Sequence, residues 1–168
     1  MPRKHFGAII FFLILISEPF LPADSFHPRT AVSIEGSQFR INGILTYQDR
    51  NPRAHGLLMN VRMVNAVFED RNPETCPQRF NPERNTEAFI SAMDHYKDQG
   101  ILAFTLNLQG GMPGYENALN SGFTPDGSLR EEYMRRVAKV IEAADARGMI
   151  IILGLFYQRQ DQVLKDEN

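Results

Sequence analysis

The chain has 168 residues, a formal net charge of −2, 43% hydrophobic and 23% charged residues, and one cysteine, Cys76. This length suffices for a domain with a sizeable core, and the composition argues against disorder. The weak charge excludes the basic field of a nucleic-acid-binding protein, and one cysteine excludes an internal disulfide or a cysteine-based zinc site.

Residues 1–23 have the pattern of a secretory signal peptide. Basic residues Arg3 and Lys4 precede an uncharged apolar run, residues 6–16, and small residues around Ala23 offer a cleavage site. The run is shorter than the roughly 20 residues that a membrane-spanning helix needs. We therefore predict a secreted or periplasmic protein that has no membrane contact after cleavage. An uncleaved amino-terminal anchor is the alternative.

Residues 24–55 predict a polar lead followed by a short β-hairpin. Alternating segments flank a turn signal at Gly36 and the dipeptide Asn42-Gly43, the strongest short hairpin signal. We expect two or three antiparallel strands here, forming a small lid or plug for the main fold.

Three glycine-led apolar runs predict the parallel strands of a β/α repeat across residues 56–168. The runs largely lose the alternation of a half-exposed strand, which is typical of strands covered on both faces. They cover residues 57–68, 100–111 and 148–157.

Two amphipathic helices are predicted between these runs. The first begins at Thr86 as its cap, and the second follows a capping box of Ser128 and Glu131. Gly100 and Gly148 are placed to end the helices in a left-handed conformation. The apolar faces comprise Phe89, Met93 and Tyr96 in the first helix and Tyr133, Val137, Val140 and Ala144 in the second.

The third run is followed at residues 160–165 by a pattern that opens another helix. A β/α unit is begun there and not closed, and three strands alone would leave unpaired edges. We therefore expect residues 56–168 to belong to a longer fold that is truncated after its third strand.

The candidate binding residues are polar side chains at the carboxyl ends of the predicted strands, where parallel α/β folds keep their sites. The four candidates are Arg62, Asn107, Gln109 and Tyr157. As an alternative to a binding role, Tyr157 could simply pack at the rim.

Three candidates also have structural alternatives. Arg62 could form an ion pair with Glu69 or Asp70, because an unpaired buried guanidinium is costly. Asn107 could cap the loop backbone, and Gln109 could be a plain turn residue. The adjacent carboxylates Glu69 and Asp70 diverge on a strand, which disfavours a shared acid/base role.

No cofactor or metal is predicted. The glycine-rich segment 110–114 lacks the lysine and hydroxyl residue of a phosphate-binding loop and the spacing of a dinucleotide fingerprint. The four histidines show no metal-ligand spacing.

Residues 36–47 resemble the hairpin that precedes many (β/α)8-barrel glycoside hydrolases of the cellulase-like clan. In that hairpin an aromatic, an aliphatic and an Asn-Gly turn lead to a second aromatic, the pattern of Phe39, Ile41, Asn42-Gly43 and Tyr47. Further segments are similar to the first three barrel strands of such proteins, and residues 123–129 are similar to the loop before their third strand. These strand-like segments are residues 60–70, 104–111 and 152–157.

The resemblance implies the amino-terminal part, about three β/α units, of a TIM (β/α)8 barrel preceded by a short hairpin. It implies hydrolysis of O-glycosidic bonds by the full-length protein, with an oligo- or polysaccharide as partner. The clan's acid/base glutamate follows the fourth strand and its nucleophile follows the seventh, so no residue here is a catalytic candidate and this fragment is expected to be inactive alone. The resemblance places Arg62, Asn107, Gln109 and Tyr157 on the substrate-facing rim. The chain departs from the clan in having no tryptophan.

Two other hypotheses remain open from the sequence. The first is a non-catalytic carbohydrate-binding or cell-surface module that uses the same rim. The second is a small, complete, doubly wound α/β protein with an unknown ligand at its strand ends.

Overall fold

The computed structural model describes residues 26–63, 65–110 and 117–156. Within them the chain is of mixed α/β class, with a three-stranded antiparallel sheet, a three-stranded parallel sheet and two α-helices. The predicted signal peptide lies outside the described residues. In chain order the elements are β1 (Val32–Glu35), β2 (Gln38–Ile41), β3 (Ile44–Leu45), β4 (Asn60–Arg62), α1 (Pro82–Asp98), β5 (Ala103–Asn107), α2 (Glu131–Asp145) and β6 (Ile150–Gly154).

None of the helices in the described ranges has the length and apolar character needed to cross a membrane.

Strands β1, β2 and β3 form an antiparallel meander, which confirms the predicted hairpin. Asn42 and Gly43 turn the chain between β2 and β3 with φ angles of 52° and 77°. Only glycine and a few polar residues adopt such angles readily, and two in succession match the twist of the strands that they join. The backbone angles of this turn therefore fix the register of β2 against β3.

Strands β4, β5 and β6 lie side by side in chain order and run parallel. The predicted first strand, residues 57–68, is wrong in length, because β4 has only three residues. After Met63 the backbone turns, and the amides of Ala66 and Phe68 bond to carbonyls three residues earlier. The turns bury Ala66, Val67 and Phe68 without extending the ladder. The run is therefore a strand only at residues 60–62 and is buried only at residues 66–68, whereas Leu57 and Met59 are exposed.

Both helices pack on the same face of the parallel sheet. The ring of Phe104 in β5 is fully buried and meets the edges or faces of Phe89 and Tyr96 of α1, with centroids 5.0 and 5.5 Å away. Val137 and Val140 of α2 belong to the same buried cluster. One continuous core therefore joins the two helices to one side of the sheet.

The predicted helix starts are wrong, although the predicted ends are confirmed. Helix α1 begins at Pro82, and the side chain of Asn81 caps it by accepting a bond from the Arg84 amide at 2.8 Å. Proline suits the first helical position because it has no amide hydrogen to satisfy there. Thr86 lies inside the helix, fully buried, and donates its hydroxyl to the Ala66 carbonyl at 2.9 Å.

Helix α2 begins at Glu131, and its N-cap residue, Arg130, makes no capping hydrogen bond with its side chain. Ser128 instead closes a turn with Asp126, whose carboxylate accepts a bond from the Ser128 amide at 3.0 Å. Gly100 and Gly148 have φ angles of 89° and 67° just beyond the two helices. Left-handed glycines therefore stop both helices, as predicted.

The meander lies at the amino-terminal ends of the parallel strands, so it forms a plug and not a lid over their carboxyl ends. The Tyr47 hydroxyl donates to the carbonyl of Gly100, shortly before β5, at 2.6 Å. At the end of α2, the carboxylate of Asp145 accepts backbone bonds from Arg29 at 3.0 Å and Thr30 at 2.8 Å. The lead and meander are thus tied to the edge opposite the predicted site.

The Asp145 carboxyl has a lowered pKa. Its burial alone would raise the pKa, but the hydrogen bonds from the Arg29 and Thr30 amides, the Thr30 side chain and the nearby Arg29 charge together outweigh that effect. These donors stabilise the charged carboxylate, so the attachment of the amino-terminal lead depends on its ionisation.

We expect Asp145→Asn to destabilise the folded chain at neutral pH, and the difference from the wild type to shrink in acid. Because the carboxyl pKa is lowered on folding, its stabilisation is complete above the unfolded-state value of about 3.9 and is lost as pH falls through the folded-state value. Urea unfolding of both proteins across the acidic range measures this difference. A gap that stays constant down to strong acid would contradict the prediction, and exposed Asp49→Asn is the control.

Candidate functional site

The face of the parallel sheet opposite the helices, which we call the open face, carries both exposed and buried side chains. Side chains alternate along β5, so Phe104 and Leu106 point to the helices while Thr105 and Asn107 lie on the other face. The Thr105 hydroxyl donates to the Asn60 carboxamide at 3.3 Å across the β4–β5 pair, which places Asn60 on this face too. Ile152 of β6 is exposed on the open face, whereas Ala103 and Asn107 of β5 are buried there. The prediction that both faces of the three strands are covered is confirmed for β5, where only Thr105 is partly exposed, and is wrong for β4 and β6, which carry exposed residues.

Arg62 lies at the end of β4 on the open face, paired in register with Thr105. Its side chain is exposed, and within residues 26–63, 65–110 and 117–156 it makes no salt bridge. The structural alternative, an ion pair with Glu69 or Asp70, is wrong, because those two carboxylates bond to other groups. An exposed guanidinium at a strand end, with no acidic partner in the part of the chain that the structure describes, offers several hydrogen-bond donors to a ligand.

Asn107 ends β5 on the same face, with its side chain largely buried. Its backbone carbonyl accepts a bond from the Tyr133 hydroxyl of α2 at 3.1 Å. Burial raises the pKa of Tyr133, so this hydroxyl remains a donor throughout the ordinary pH range. This hydrogen bond from α2 therefore holds the backbone of Asn107 from the helix side of the sheet.

Gly154 of β6 pairs with Asn107 and leaves room for its carboxamide. A Cβ atom at Gly154 would lie 2.4 Å from the Asn107 Oδ1 atom, closer than atoms tolerate. Because Gly154 has no side chain, the Asn107 carboxamide can occupy this space.

We expect Gly154→Ala to destabilise the chain by about 1–3 kcal/mol by overpacking this position. In an Asn107→Ala background the same change should cost clearly less, because the clashing atom is gone. Chemical denaturation of the wild type, both single variants and the double variant measures this coupling. Equal costs of Gly154→Ala in the two backgrounds would show that the contact does not constrain Asn107.

Gln109 lies beyond the end of β5, where it forms an isolated antiparallel bridge with Ser121. Its side chain is buried, and its carboxamide oxygen has no hydrogen-bond partner among the described residues. This backbone bridge differs from the plain turn of the structural alternative, and an unpaired buried acceptor is unusual in a role that is purely structural. The side chain does not belong to the exposed part of the rim.

A buried ion cluster, which the sequence did not predict, stands behind the carboxyl ends of β4 and β5. Glu69 has 6% of its surface exposed and faces three arginines, Arg71, Arg130 and Arg136. Its Oε2 atom lies 2.5 Å from Arg136 Nη2, and its Oε1 atom bonds to Arg130 and lies 3.4 Å from Arg71 Nε. We call these four residues the Glu69 cluster. Because the carboxylate is fully engaged, it serves as a structural anchor.

One sequence signal for the cluster existed. Arg136 follows Tyr133 by three positions and precedes Val140 by four, so it lies on the apolar face of α2, and it is almost fully buried. A charged residue in that position needs a buried partner. The identity of the partner could not be predicted, because Glu69 lies 67 residues away.

Asp70 has a different role from its neighbour Glu69. Its carboxylate accepts bonds from the Thr75 hydroxyl at 2.6 Å and from the amides of Leu119 and Asn72 at 2.9 Å each. Burial opposes ionisation, but these three donors prevail and lower the Asp70 pKa. A shared acid/base role for the two carboxylates was disfavoured from the sequence, and their separate partners agree with that.

Asn120 links the same two loops from within. Its carboxamide oxygen accepts a bond from the Glu69 amide at 3.2 Å, and its nitrogen donates to the Gly110 carbonyl. Together with Asp70 and the Glu69 cluster, it forms a scaffold that supports the ends of β4 and β5 from the side of the helices.

Of the predicted rim, the structure therefore brings Arg62 and Asn107 to one open face and places Gln109 inside. Tyr157 lies outside the described residues. In the described part of the chain, no group of three or more histidine, cysteine or acidic side chains is arranged to hold a metal ion. Comparison of the chain with protein-family models, with curated proteins and with solved structures finds no match.

Proposed function

We propose that residues 56–168 are the amino-terminal β/α units of an exported (β/α)8 barrel, and that the full-length protein hydrolyses O-glycosidic bonds in an oligo- or polysaccharide. The reaction would use two carboxylates, one as acid/base and one as nucleophile. The proposal places both carboxylates outside the present residues and gives these residues a substrate-binding role. The chain alone is then inactive.

The observation that carries the proposal is the one-sided arrangement of the helices. Strands β4, β5 and β6 follow one another in space as in sequence, and α1 and α2 both pack on the same face. Repetition of such a unit in one direction curves a sheet towards a closed barrel with helices outside. In a doubly wound protein the strand order reverses and helices cover both faces. The arrangement therefore supports the barrel over a small doubly wound protein.

The position of the plug gives independent support. The meander lies at the amino-terminal ends of the strands, where the Tyr47 hydroxyl donates to the Gly100 carbonyl. It leaves the carboxyl ends of the strands free. Active sites of (β/α)8 barrels lie at the carboxyl ends. An amino-terminal segment that closes the opposite end is compatible with a substrate site at the rim of Arg62 and Asn107.

The open face would be the interior of such a barrel. It carries groups that bind hydroxyls well, namely the carboxamides of Asn60 and Asn107, the Thr105 hydroxyl and the Arg62 guanidinium. In β4, β5 and β6 it carries no carboxylate. This composition supports a binding role for the described strands, with catalytic groups supplied by other strands.

The same composition also favours a second candidate, a carbohydrate-binding module without catalysis. Both candidates predict that the purified chain binds oligosaccharides weakly and releases no product. They differ in whether the complete reading frame contains the two carboxylates.

The test is therefore to read the gene beyond the codon for Asn168. We expect the frame to continue for about 150–250 residues, with a glutamate closing the fourth strand and a carboxylate closing the seventh. Changing either residue to its amide in the full-length protein should abolish release of nitrophenol from aryl glycosides. A stop codon directly after Asn168 would overturn the hydrolase proposal, as would hydrolysis by residues 24–168 alone.

A further inference from the structure

We propose that Arg62 binds the carboxylate of an acidic sugar, so that the ligand of the open face is a polysaccharide that contains uronic acid. The proposal rests on the proposed carbohydrate function and names the chemical class of its ligand. Its basis is the charge that the open face carries.

Arg62 is the only charged side chain that β4, β5 and β6 place on the open face. Alternation and register assign eight residues to this face, namely Asn60 and Arg62 of β4, Ala103, Thr105 and Asn107 of β5, and Ile150, Ile152 and Gly154 of β6. The other seven carry no ionisable group, although the chain as a whole has a net charge of −2. A ligand that approaches these strands therefore meets a single positive charge.

The acidic side chains nearest to Arg62 in the sequence are bonded to other groups. Glu69 contacts Arg130 and Arg136 through its two carboxylate oxygens. Asp70 accepts bonds from a hydroxyl group and from two backbone amides. A guanidinium that faces the interior of a closed barrel would be costly without a negative partner. The anion that Arg62 needs must therefore come from outside the described residues, and we assign it to the ligand.

The neighbours of Arg62 suit the remainder of a sugar ring. Arg62 pairs in register with Thr105, whose hydroxyl donates to the carboxamide oxygen of Asn60 at 3.3 Å. Among the described residues no acceptor takes a bond from the Asn60 amide nitrogen, so this nitrogen can donate to a sugar hydroxyl. The planar guanidinium fork matches the two oxygens of a carboxylate. A uronic acid presents both kinds of group on one ring.

The experiment compares tetrasaccharides of galacturonic and mannuronic acid with their methyl esters, which keep the ring and lose the charge. Isothermal titration calorimetry at low salt is made on the purified chain. If the reading frame continues beyond Asn168, it is made on the complete protein, with the glutamate that closes the fourth strand changed to glutamine so that the sugars stay intact. We expect at least one acid to bind about tenfold more tightly than its ester.

Variants of Arg62 then test whether this residue carries the preference for the acid. Arg62→Gln should weaken binding of the acid about tenfold and leave binding of the ester unchanged, because it removes the charge and keeps a polar side chain. Arg62→Lys should retain part of the preference, since it keeps the charge and loses the fork. Arg53→Gln is the matched control, because Arg53 is also exposed but lies before β4, and it should change neither affinity.

Two results would overturn the uronic-acid site. In the first the acids and their esters bind equally, and in the second Arg62→Gln keeps the preference for the acid. Binding of neutral tetrasaccharides of glucose, xylose or mannose would then show that the carbohydrate function stands without this site. If neither acidic nor neutral sugars bind, the carbohydrate function fails and the uronic-acid site fails with it.

Discussion

Replacing Glu69 with alanine is expected to lower the free energy of unfolding by about 3–5 kcal/mol. Among the described residues, Glu69 is the only one whose carboxylate contacts both Arg130 and Arg136, and Arg136 is almost fully buried. The buried Arg136 would then keep only the partly exposed Glu83, 3.3 Å away, as an acidic partner among the described residues. The scaffold behind the rim would also loosen, since Glu69 belongs to the loop after β4 and its arginines to the segment before α2 and to α2 itself.

Urea unfolding, with loss of secondary structure as the signal, measures this effect. Glu35→Ala is the matched control, because Glu35 also bonds to an arginine, Arg40 at 2.8 Å, but is 65% exposed. An exposed pair of this kind contributes at most about 1 kcal/mol. Glu69→Gln should fall between the two, since it keeps the shape and loses the charge. A cost for Glu69→Ala no larger than that of the control would show that the cluster does not hold the loops.

Replacing Phe104 with alanine is expected to cost about 3–5 kcal/mol, the range for truncating a fully buried phenylalanine. Phe104 is the residue through which β5 contacts both Phe89 and Tyr96 of α1 in edge-to-face geometry. Its removal leaves a cavity between the central strand and the helix. The sheet and the helices cannot both shift to fill it, because Phe104 lies in the middle of the only core that joins them in the described part of the chain.

The same unfolding measurement on Phe104→Leu and Phe26→Ala provides the controls. Leucine fills part of the space and should cost less than alanine, while the exposed Phe26 should change stability by less than about 0.5 kcal/mol. If Phe104→Ala unfolds at the same urea concentration as the wild type, the packing of α1 on β5 described above is wrong.

The two predictions also bear on the proposed function, because both residues support the rim without belonging to it. Glu69 and Phe104 lie on the side of the helices, whereas Arg62 and Asn107 lie on the open face. Substituting Glu69 or Phe104 should therefore increase the mobility of the rim, while the side chains of Arg62 and Asn107 remain present. Substitutions at Arg62 should have the opposite result, with weaker ligand binding and little change in stability.

Local signals in the sequence determined most of the secondary structure. The Asn42-Gly43 turn and the helix ends at Gly100 and Gly148 depend on backbone angles that few residues adopt, so they were readable without any tertiary contact. The alternation of helical and strand patterns likewise predicted the order of β4, α1, β5, α2 and β6. The hydrophobic periodicity of each segment depends only on the residues within that segment.

Where two local signals competed, the tertiary structure chose between them. Thr86 and Asn81 are both good helix caps, and Asn81 is followed by a proline that suits the first helical position. The Thr86 hydroxyl bonds to the Ala66 carbonyl instead, a contact 20 residues away that no local pattern reveals. The apolar run at 57–68 was likewise read as one strand, although only its middle pairs with β5.

By itself, the sequence determined the α/β class, the meander, the helix ends and the polar end of β5 that carries Asn107. Only the tertiary structure decided that both helices cover one face, that the meander plugs the amino-terminal edge, and that Glu69 meets arginines 61 and 67 residues away. The physical reason is the range of the interactions. Turns and periodicity depend on neighbouring residues, whereas buried ion pairs and the choice of a face depend on which distant segments the folded core brings together.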